Sequence, residues 1–264
     1  MTLAHDLLDL ATRIARDAGE LAHRRRREGV TVAATKSAAA DIVTAADREV
    51  EAFIRAELAR ERPEDGFFGE ESGAEPGSSG ITWVVDPIDG TVNYAYGIPA
   101  WAISIAAVEG SADTAEWTAL AGVVFNPVSG ELFHATRGGG AWLGDERLSV
   151  TQEVGAAGGL VATGFGYDPA SHAPTLERLA RVMPVARDIR RIGAASLDLA
   201  FVAAGRVDAY YERGTNPWDH AAGVLLVREA GGMVGGAPGG RPGKGMVIAA
   251  GPAFYPVLDA VLDY

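Results

Sequence analysis

The 264-residue chain is 48% hydrophobic and 22% charged, the composition of a soluble globular protein and not of a disordered one. It contains no cysteine, which excludes a disulfide framework, a thiolate metal site and a cysteine nucleophile. Its 35 acids against 23 bases give a net charge of −12, which argues against nucleic acid or an anionic membrane as a general partner.

The opening MTLAHDLLDL carries acids and no charged-then-apolar leader, and no apolar run reaches the ~18 residues that span a bilayer. A cytoplasmic location is expected. Residues 3–27 read as an amphipathic helix, with Leu3, Leu7, Leu10, Ile14, Ala18 and Leu21 recurring at three- and four-residue steps. The basic run Arg24–Arg27 closes it, expected to face solvent and to complement the helix C-terminus. Thr44 is a good N-cap for a second helix that carries Val50, Phe53, Ile54 and Leu58 inward. GAEPGSSG (73–80) is expected to be a flexible loop. ITWVVD (81–86) is a short apolar run ending in a carboxylate, as a buried strand would be. Further strands are expected at 101–108, 117–125 and 131–137, with the turn NPVSG (126–130) between the last two and a tight turn at Gly138–Gly140.

The second half alternates. Strands are expected near 159–163, 188–192, 207–212 and 245–250, and helices near 174–183, 194–204, 217–230 and 252–263. Residues 231–245 read as a glycine-rich surface loop. Alternation of this kind implies α/β layering around a mixed sheet. A single unit is expected, with an N-terminal half (1–150) holding most of the acids and a C-terminal half (151–264) holding Asp219.

Charge is unevenly placed. Between Asp41 and Asp89 lie thirteen acids and four bases, a net of −9 out of −12. Such a run is ordinarily a solvated surface, and Glu49, Glu51 and Glu57 are assigned that role. Four stretches ask for more: DIVTAAD (41–47), GEES (69–72), WVVDPIDGT (83–91) and NPWD (216–219), each with a carboxylate at a junction between elements. Pro87 fixes φ and removes a donor, so the chain is expected to turn sharply after the strand. Asp86 and Asp89 would then share one cavity, with the Ile88 carbonyl as a further oxygen. The backbone of Gly90 and Thr91 could cradle a phosphate. Asp219, in the first turn of a helix capped by Asn216, has helix-dipole stabilisation as its ordinary role.

Adjacent carboxylates repel unless a cation holds them. An all-oxygen set selects Mg²⁺ or Mn²⁺ over zinc, and the five histidines are scattered without ligand spacing. His220 reads as a helix residue and not as a ligand. There is no G-x-S-x-G elbow, and Gly243-Lys244-Gly245 lacks the spacing of a phosphate-binding loop. With no side-chain nucleophile in view, water is the expected attacker on a phosphoester.

At WVVDPIDGTVNYAYG and NPWDHAAGVLLVREAGG, with GEES and DIVTAAD upstream, the chain resembles the inositol monophosphatase family of Mg²⁺-dependent, lithium-sensitive sugar phosphatases, over essentially its whole length. The resemblance implies an αβαβα sandwich, a homodimer, and two to three Mg²⁺ per site. It implies that Glu70, Asp86 and the Ile88 carbonyl hold one metal, that Asp86, Asp89 and Asp219 hold a second, and that Glu70 with waters holds a third. Thr91 and Asp47 would orient and deprotonate water, with Glu70 counted among the catalytic groups. The Gly90 and Thr91 amides would bind phosphate. The backbone of Gly193, Ala194 and Ala195, the carboxylate of Glu212, and Asp89 and Asp219 would meet the substrate. Lys36 would lie in a loop near the metals, solvated loop lysine being its plain reading. Phe165 stands where animal members carry a serine and bacterial members an aromatic.

The implied substrate is myo-inositol 1-phosphate or a related polyol phosphate; histidinol phosphate, fructose 1,6-bisphosphate and phosphoadenosine phosphate share the motifs. Val92, the segment Tyr94–Gly97 and Glu212 favour the inositol branch. A regulatory protein acting through Arg24–Arg27 is the reading from another class.

Overall fold

Strands that are apolar on both faces need cover on both sides, and five layers supply it. The computed structural model describes residues 2–29, 32–35, 42–110 and 117–262. The expected segment around Asp41 and Lys36 therefore lies outside the described residues.

The elements run in chain order as α1 (Leu3–Glu28), β1 (Val32–Thr35), β2 (Ile42–Thr44), α2 (Ala45–Glu61), β3 (Gly66–Gly69), β4 (Gly73–Glu75), β5 (Ile81–Asp89) and α3 (Thr91–Tyr96). Then come β6 (Ala102–Glu109), β7 (Thr118–Asn126), β8 (Glu131–Thr136), β9 (Gly140–Leu143), β10 (Glu146–Arg147) and β11 (Gly159–Thr163). The chain continues through α4 (His172–Val182), β12 (Ala186–Arg190), α5 (Ala195–Ala203), β13 (Ala209–Glu212), α6 (Pro217–Glu229), β14 (Met233–Gly235), β15 (Val247–Ala250) and α7 (Tyr255–Val261).

One sheet has eight strands in the order β10-β9-β8-β7-β6-β5-β3-β4, and a second has five in the order β12-β11-β13-β15-β14. Period-two alternation sends Trp83 and Val85 of β5, and Ile103 and Ile105 of β6, into one buried cluster with Leu7, Ile14, Val50 and Ile54 of α1 and α2. Val84, Ala106 and Val108 point the other way, into a cluster with Leu197, Leu199 and Val202 of α5 and Leu225 and Leu226 of α6. Tyr210 and Val247 of the second sheet close the far side of that cluster. Tyr211 and Ile248 alternate onto the outer face, where Val182 of α4 and Leu258 of α7 cover them. The result is the αβαβα sandwich. Each fully buried aliphatic or aromatic side chain is worth ~1.5–3 kcal/mol of transfer free energy.

Helices sandwiched between two sheets must be apolar all round. In α6 every residue from His220 to Val227 is buried. Small residues set the spacing: a Cβ on Gly122 of β7 would lie 3.1 Å from the Ala222 backbone.

Two expected loops turn out to contain edge strands. GAEPGSSG begins with β4, which pairs antiparallel with β3 through Phe67↔Glu75 and Gly69↔Gly73. The glycine-rich stretch 231–245 begins with β14, paired antiparallel with β15. The strand expected at 188–192 lies at Ala186–Arg190, and Phe53 is half-buried at the margin of its cluster. The basic run is tied down. The Arg25 guanidinium is bidentate on Glu49 (Nε at 2.7 Å, Nη2 at 2.6 Å), and Arg26 Nε donates to the Tyr94 carbonyl at 2.6 Å. Arg25 and Arg26 thus hold α2 and α3 rather than simply facing solvent. No helix among the described residues is long and apolar enough to cross a membrane.

Candidate active site

In a regular strand, residues three apart point to opposite faces. Asp86 and Asp89 nevertheless line the same cavity. The reason is a bulge: Asp86 pairs with Ser104 and Asp89 with Ala102, so three steps on β5 span two on β6. Proline is tolerated at such an irregularity because the ladder there lacks a hydrogen bond. The expected sharp turn at Pro87 is therefore a bulge within a continuing strand. Inside it, the Ile88 amide donates to Asp86 Oδ1 at 3.0 Å.

Each carboxylate has its own support. Asp89 caps α5 from another layer: its oxygens accept from the Ala195 amide (3.2 Å), the Ser196 amide (2.7 Å) and the Ser196 hydroxyl. Asp219, at the third position of α6, accepts from the Asn216 amide at 2.6 Å in a reciprocal capping box. Asp47 does the same for α2, accepting from the Thr44 amide (2.8 Å) and hydroxyl (2.5 Å). The Thr91 hydroxyl lies 3.1 Å from both Asp47 Oδ1 and the Ile88 carbonyl. Residues 44 positions apart are thus joined as expected. Asp47 does not line the cavity; it stands behind Thr91.

Glu51 overturns its assignment to the solvated surface. It is 3% exposed, and its carboxylate accepts from the Glu71 and Ser72 amides, each at 2.7 Å. It thereby fixes the loop that presents Glu70. Gly193, Ala194 and Ala195, expected to meet the substrate through their backbone, all line the cavity, with the Ala195 amide engaged by Asp89. Sequence reasoning also missed Asn93, whose Nδ2 donates to the carbonyls of Ala100 (2.7 Å) and Ile192 (2.8 Å), and Ser196. Gly90 and Gly193 face each other, both with φ of 91°, and a Cβ on Gly90 would meet the Gly193 carbonyl at 3.1 Å.

The cavity has a volume of about 780 Å³. Glu70, Asp86, Ile88, Asp89, Gly90, Thr91, Gly193, Ala194, Ala195, Glu212 and Asp219 all line it, as does Phe165. Phe68, beside the Glu70 loop, meets Trp218 edge-to-face at 5.2 Å, which joins the elements that carry Glu70 and Asp219.

Burial raises Asp86 well above the ordinary carboxylate range, helped by the charges of Glu70, Asp89 and Asp219 and by a hydrogen bond with Glu70. Burial and the charges of Asp89 and Glu70 do the same to Asp219. Burial also raises Asp89, against the hydrogen bonds from Ser196 and Ala195 and the nearby Arg191. Asp47 is raised by burial and by Glu71, opposed by Thr44 and Thr91. Glu212 is pushed up to about 7 by burial, although the Tyr210 hydroxyl donates to it at 2.9 Å. His220 is buried and pushed down to about 4, hence neutral near pH 7, and reads as a helix residue.

Among the described residues, no three or more acids or histidines are gathered so as to hold a metal ion as they stand. The charge of Glu70 helps to raise Asp86, so the two carboxylates stand close enough to repel each other. A hard divalent cation fits these residues chemically: it would cancel the repulsion among four converging acids, of which Asp86 and Asp89 are buried and Glu70 and Asp219 half-buried.

The profile described as the inositol monophosphatase family matches residues 4–259. The inositol-1-monophosphatase SuhB of Mycobacterium tuberculosis is 41% identical, over 97% of this chain and 93% of that protein. A protein of Escherichia coli named Nus factor SuhB is 39% identical, over 97% and 95%. The crystal structure of extragenic suppressor protein SuhB from Bartonella henselae superposes with a TM-score of 0.89 at 38% identity, covering 98% of each chain.

Proposed function

Because this chain belongs to the inositol monophosphatase family, we propose that it is a Mg²⁺-dependent, lithium-sensitive phosphomonoesterase acting on myo-inositol 1-phosphate or a related polyol phosphate. Membership itself makes it a phosphatase of that superfamily. The observation that carries the finer reading is the convergence of Glu70, Asp86, Asp89 and Asp219 on one cavity beside the Thr91–Asp47 pair. A cytoplasmic homodimer is part of the proposal.

Glu70, Asp86 and the Ile88 carbonyl would hold one Mg²⁺; Asp86, Asp89 and Asp219 would hold a second; Glu70 would also hold a weaker third through waters, and Mn²⁺ could substitute. When bound, these ions lower the pKa of water and neutralise charge on the phosphate and the departing alkoxide. The amides of Gly90 and Thr91 bind the phosphoryl oxygens, with the backbone of Gly193 and Ala194 opposite. Thr91 Oγ1, placed by Asp47 and the Ile88 carbonyl, orients the attacking water. Asp47, raised toward neutrality by burial, suits the acceptance of its proton through that hydroxyl. Water oxygen bonds to phosphorus, the ester P–O bond breaks, and the alkoxide is protonated, giving alcohol and inorganic phosphate. Glu212 takes hydrogen bonds from the hydroxyls of the alcohol.

A regulatory reading has one observation in its favour, the name Nus factor SuhB borne by the Escherichia coli relative. Against it, Arg25 and Arg26, half of the expected docking run, are occupied within the molecule.

The test is Mg²⁺-dependent phosphate release from inositol 1-phosphate, histidinol phosphate, fructose 1,6-bisphosphate and phosphoadenosine phosphate. Asp86→Asn should lower the rate by about a thousandfold under saturating Mg²⁺. Wild-type release by that variant would overturn the mechanism.

A further inference from the structure

Burying a carboxylate is costly unless hydrogen bonds replace its water. Glu51 is buried, and both of its oxygens are taken up by backbone: Oε2 accepts from the Glu71 amide and Oε1 from the Ser72 amide, each at 2.7 Å. Gly69 makes room for it, because a Cβ there would strike the Glu51 carboxylate. A charged side chain, two amides and a glycine are thus fitted to one another around a single turn. Glu51 does not line the cavity, and no step of the mechanism uses it.

What that turn carries is Glu70. The other three acids of the site stand on regular elements: Asp86 and Asp89 on β5, paired with Ser104 and Ala102 of β6, and Asp219 in the capping box of α6. Glu70 lies one residue past the end of β3, its amide donating to the Val85 carbonyl at 3.2 Å. From there the chain turns through 70–72 toward β4, and the next two amides are the ones that Glu51 holds. The same helix reaches the other half of the site. Asp47 and Glu51 are four residues apart on α2, so they share a face one turn from each other, and both are buried. Asp47 accepts from the Thr91 hydroxyl at 3.1 Å, while Glu51 grips the turn after Glu70. Helix α2 is therefore a rod with two carboxylate contacts, one on the water-orienting pair and one on the loop of a metal ligand.

We propose that Glu51 is a positioning residue that sets the affinity of the site for Mg²⁺ by holding the Glu70 turn, with Gly69 as its required partner. This deepens the metal-dependent phosphatase reading and rests on it. Hydrogen bonds from amide to carboxylate are charge-assisted and directional, so they hold a turn more firmly than neutral contacts would. Groups that orient a metal ligand from behind are worth about ten- to a hundredfold in metal affinity when they are removed. The loss should fall on metal binding and not on the rate reached once the site is saturated.

The experiment titrates Mg²⁺ into the full chain, by calorimetry without substrate and by phosphate release from inositol 1-phosphate. It compares the wild type with Glu51→Gln, Glu51→Ala and Gly69→Ala. Glu57→Gln serves as reference, since that carboxylate of the same helix pairs with the exposed Arg60. Glu51→Ala and Gly69→Ala should raise the half-saturating Mg²⁺ concentration by about tenfold or more in both readouts, with kcat at saturating Mg²⁺ kept within about threefold. Glu51→Gln keeps the shape and one acceptor oxygen, so it should shift the same way by less. Glu57→Gln should shift nothing. An unchanged midpoint in Glu51→Ala and Gly69→Ala, whether or not circular dichroism shows a loss of folded protein, would overturn the proposal. A fall in kcat alone would do the same, and a wild type that binds Mg²⁺ and releases phosphate would leave the phosphatase reading standing. A wild type that binds no Mg²⁺ would overturn both.

Discussion

Helices α2 and α6 begin with the same local device. Thr44 and Asp47 cap one reciprocally, and Asn216 and Asp219 cap the other. Their surroundings differ. Asp47 sits among hydroxyls, with Thr44 and Thr91 donating to it and Glu71 as its acidic neighbour. Asp219 faces Asp89, Glu70 and Glu212 and lines the cavity itself. A capping box fixes where a carboxylate stands, while the layers around it decide what that carboxylate does. In the proposed mechanism Asp47 would move a proton through a neighbour, and Asp219 would offer an oxygen directly.

Three outcomes would sharpen or break that contrast. The largest is expected at Asp219→Asn: on the order of a thousandfold loss of phosphate release in saturating Mg²⁺, with thermal stability nearly kept, because asparagine can still accept the cap hydrogen bond. Retained activity with lost stability would reduce Asp219 to a cap.

The neighbouring His220 comes next. Its native pKa of about 4 lies below the ordinary 6.5, so below pH 6.5 the unfolded chain binds the proton that the native state refuses. The stabilisation is complete above pH 6.5 and is lost toward pH 4, amounting to about 3 kcal/mol for this well-buried group. Raised carboxylates work in the opposite sense, so denaturant melts of wild type and His220→Phe should be compared across that window. A slope that survives in the variant would clear His220 of the effect.

The smallest effects separate the two roles of the α2 cap. Thr44→Ala should cost about 1 kcal/mol of stability. Asp47→Asn should cost about a hundredfold in kcat with little change in KM. If both substitutions acted only on stability, measured by chemical denaturation beside steady-state kinetics, Asp47 would be a cap and nothing more.

Much of the site was legible because its determinants are local. Asp86, Pro87 and Asp89 are adjacent, and Asn216, Pro217 and Asp219 announce a helix start. The long, strongly patterned elements α1, β5, β6 and α6 were legible for the same reason. What escaped depends on partners distant in sequence. Glu51 sits in a helix whose pattern marks it as surface; only the amides of Glu71 and Ser72 turn it into a buried anchor. Arg25 and Arg26 read as a helix-end cluster until Glu49 and the Tyr94 carbonyl come within reach. The strands β4 and β14 have three residues each, too few to carry a period, and exist because β3 and β15 offer an edge. The Asp86–Asp89 bulge needed the register against β6 to be seen.

Asn93 of α3 reaches the carbonyl of Ile192, and Asp89 of β5 reaches the amides at the start of α5. These are stitches between segments about a hundred positions apart, closed over buried polar atoms. A chain that ends before Ser196 has Asp86 and Asp89 on β5 but lacks the Ser196 amide and hydroxyl that orient Asp89. The site is therefore complete only once α5 has docked on β5, and the recovery of activity during refolding is expected to follow that docking.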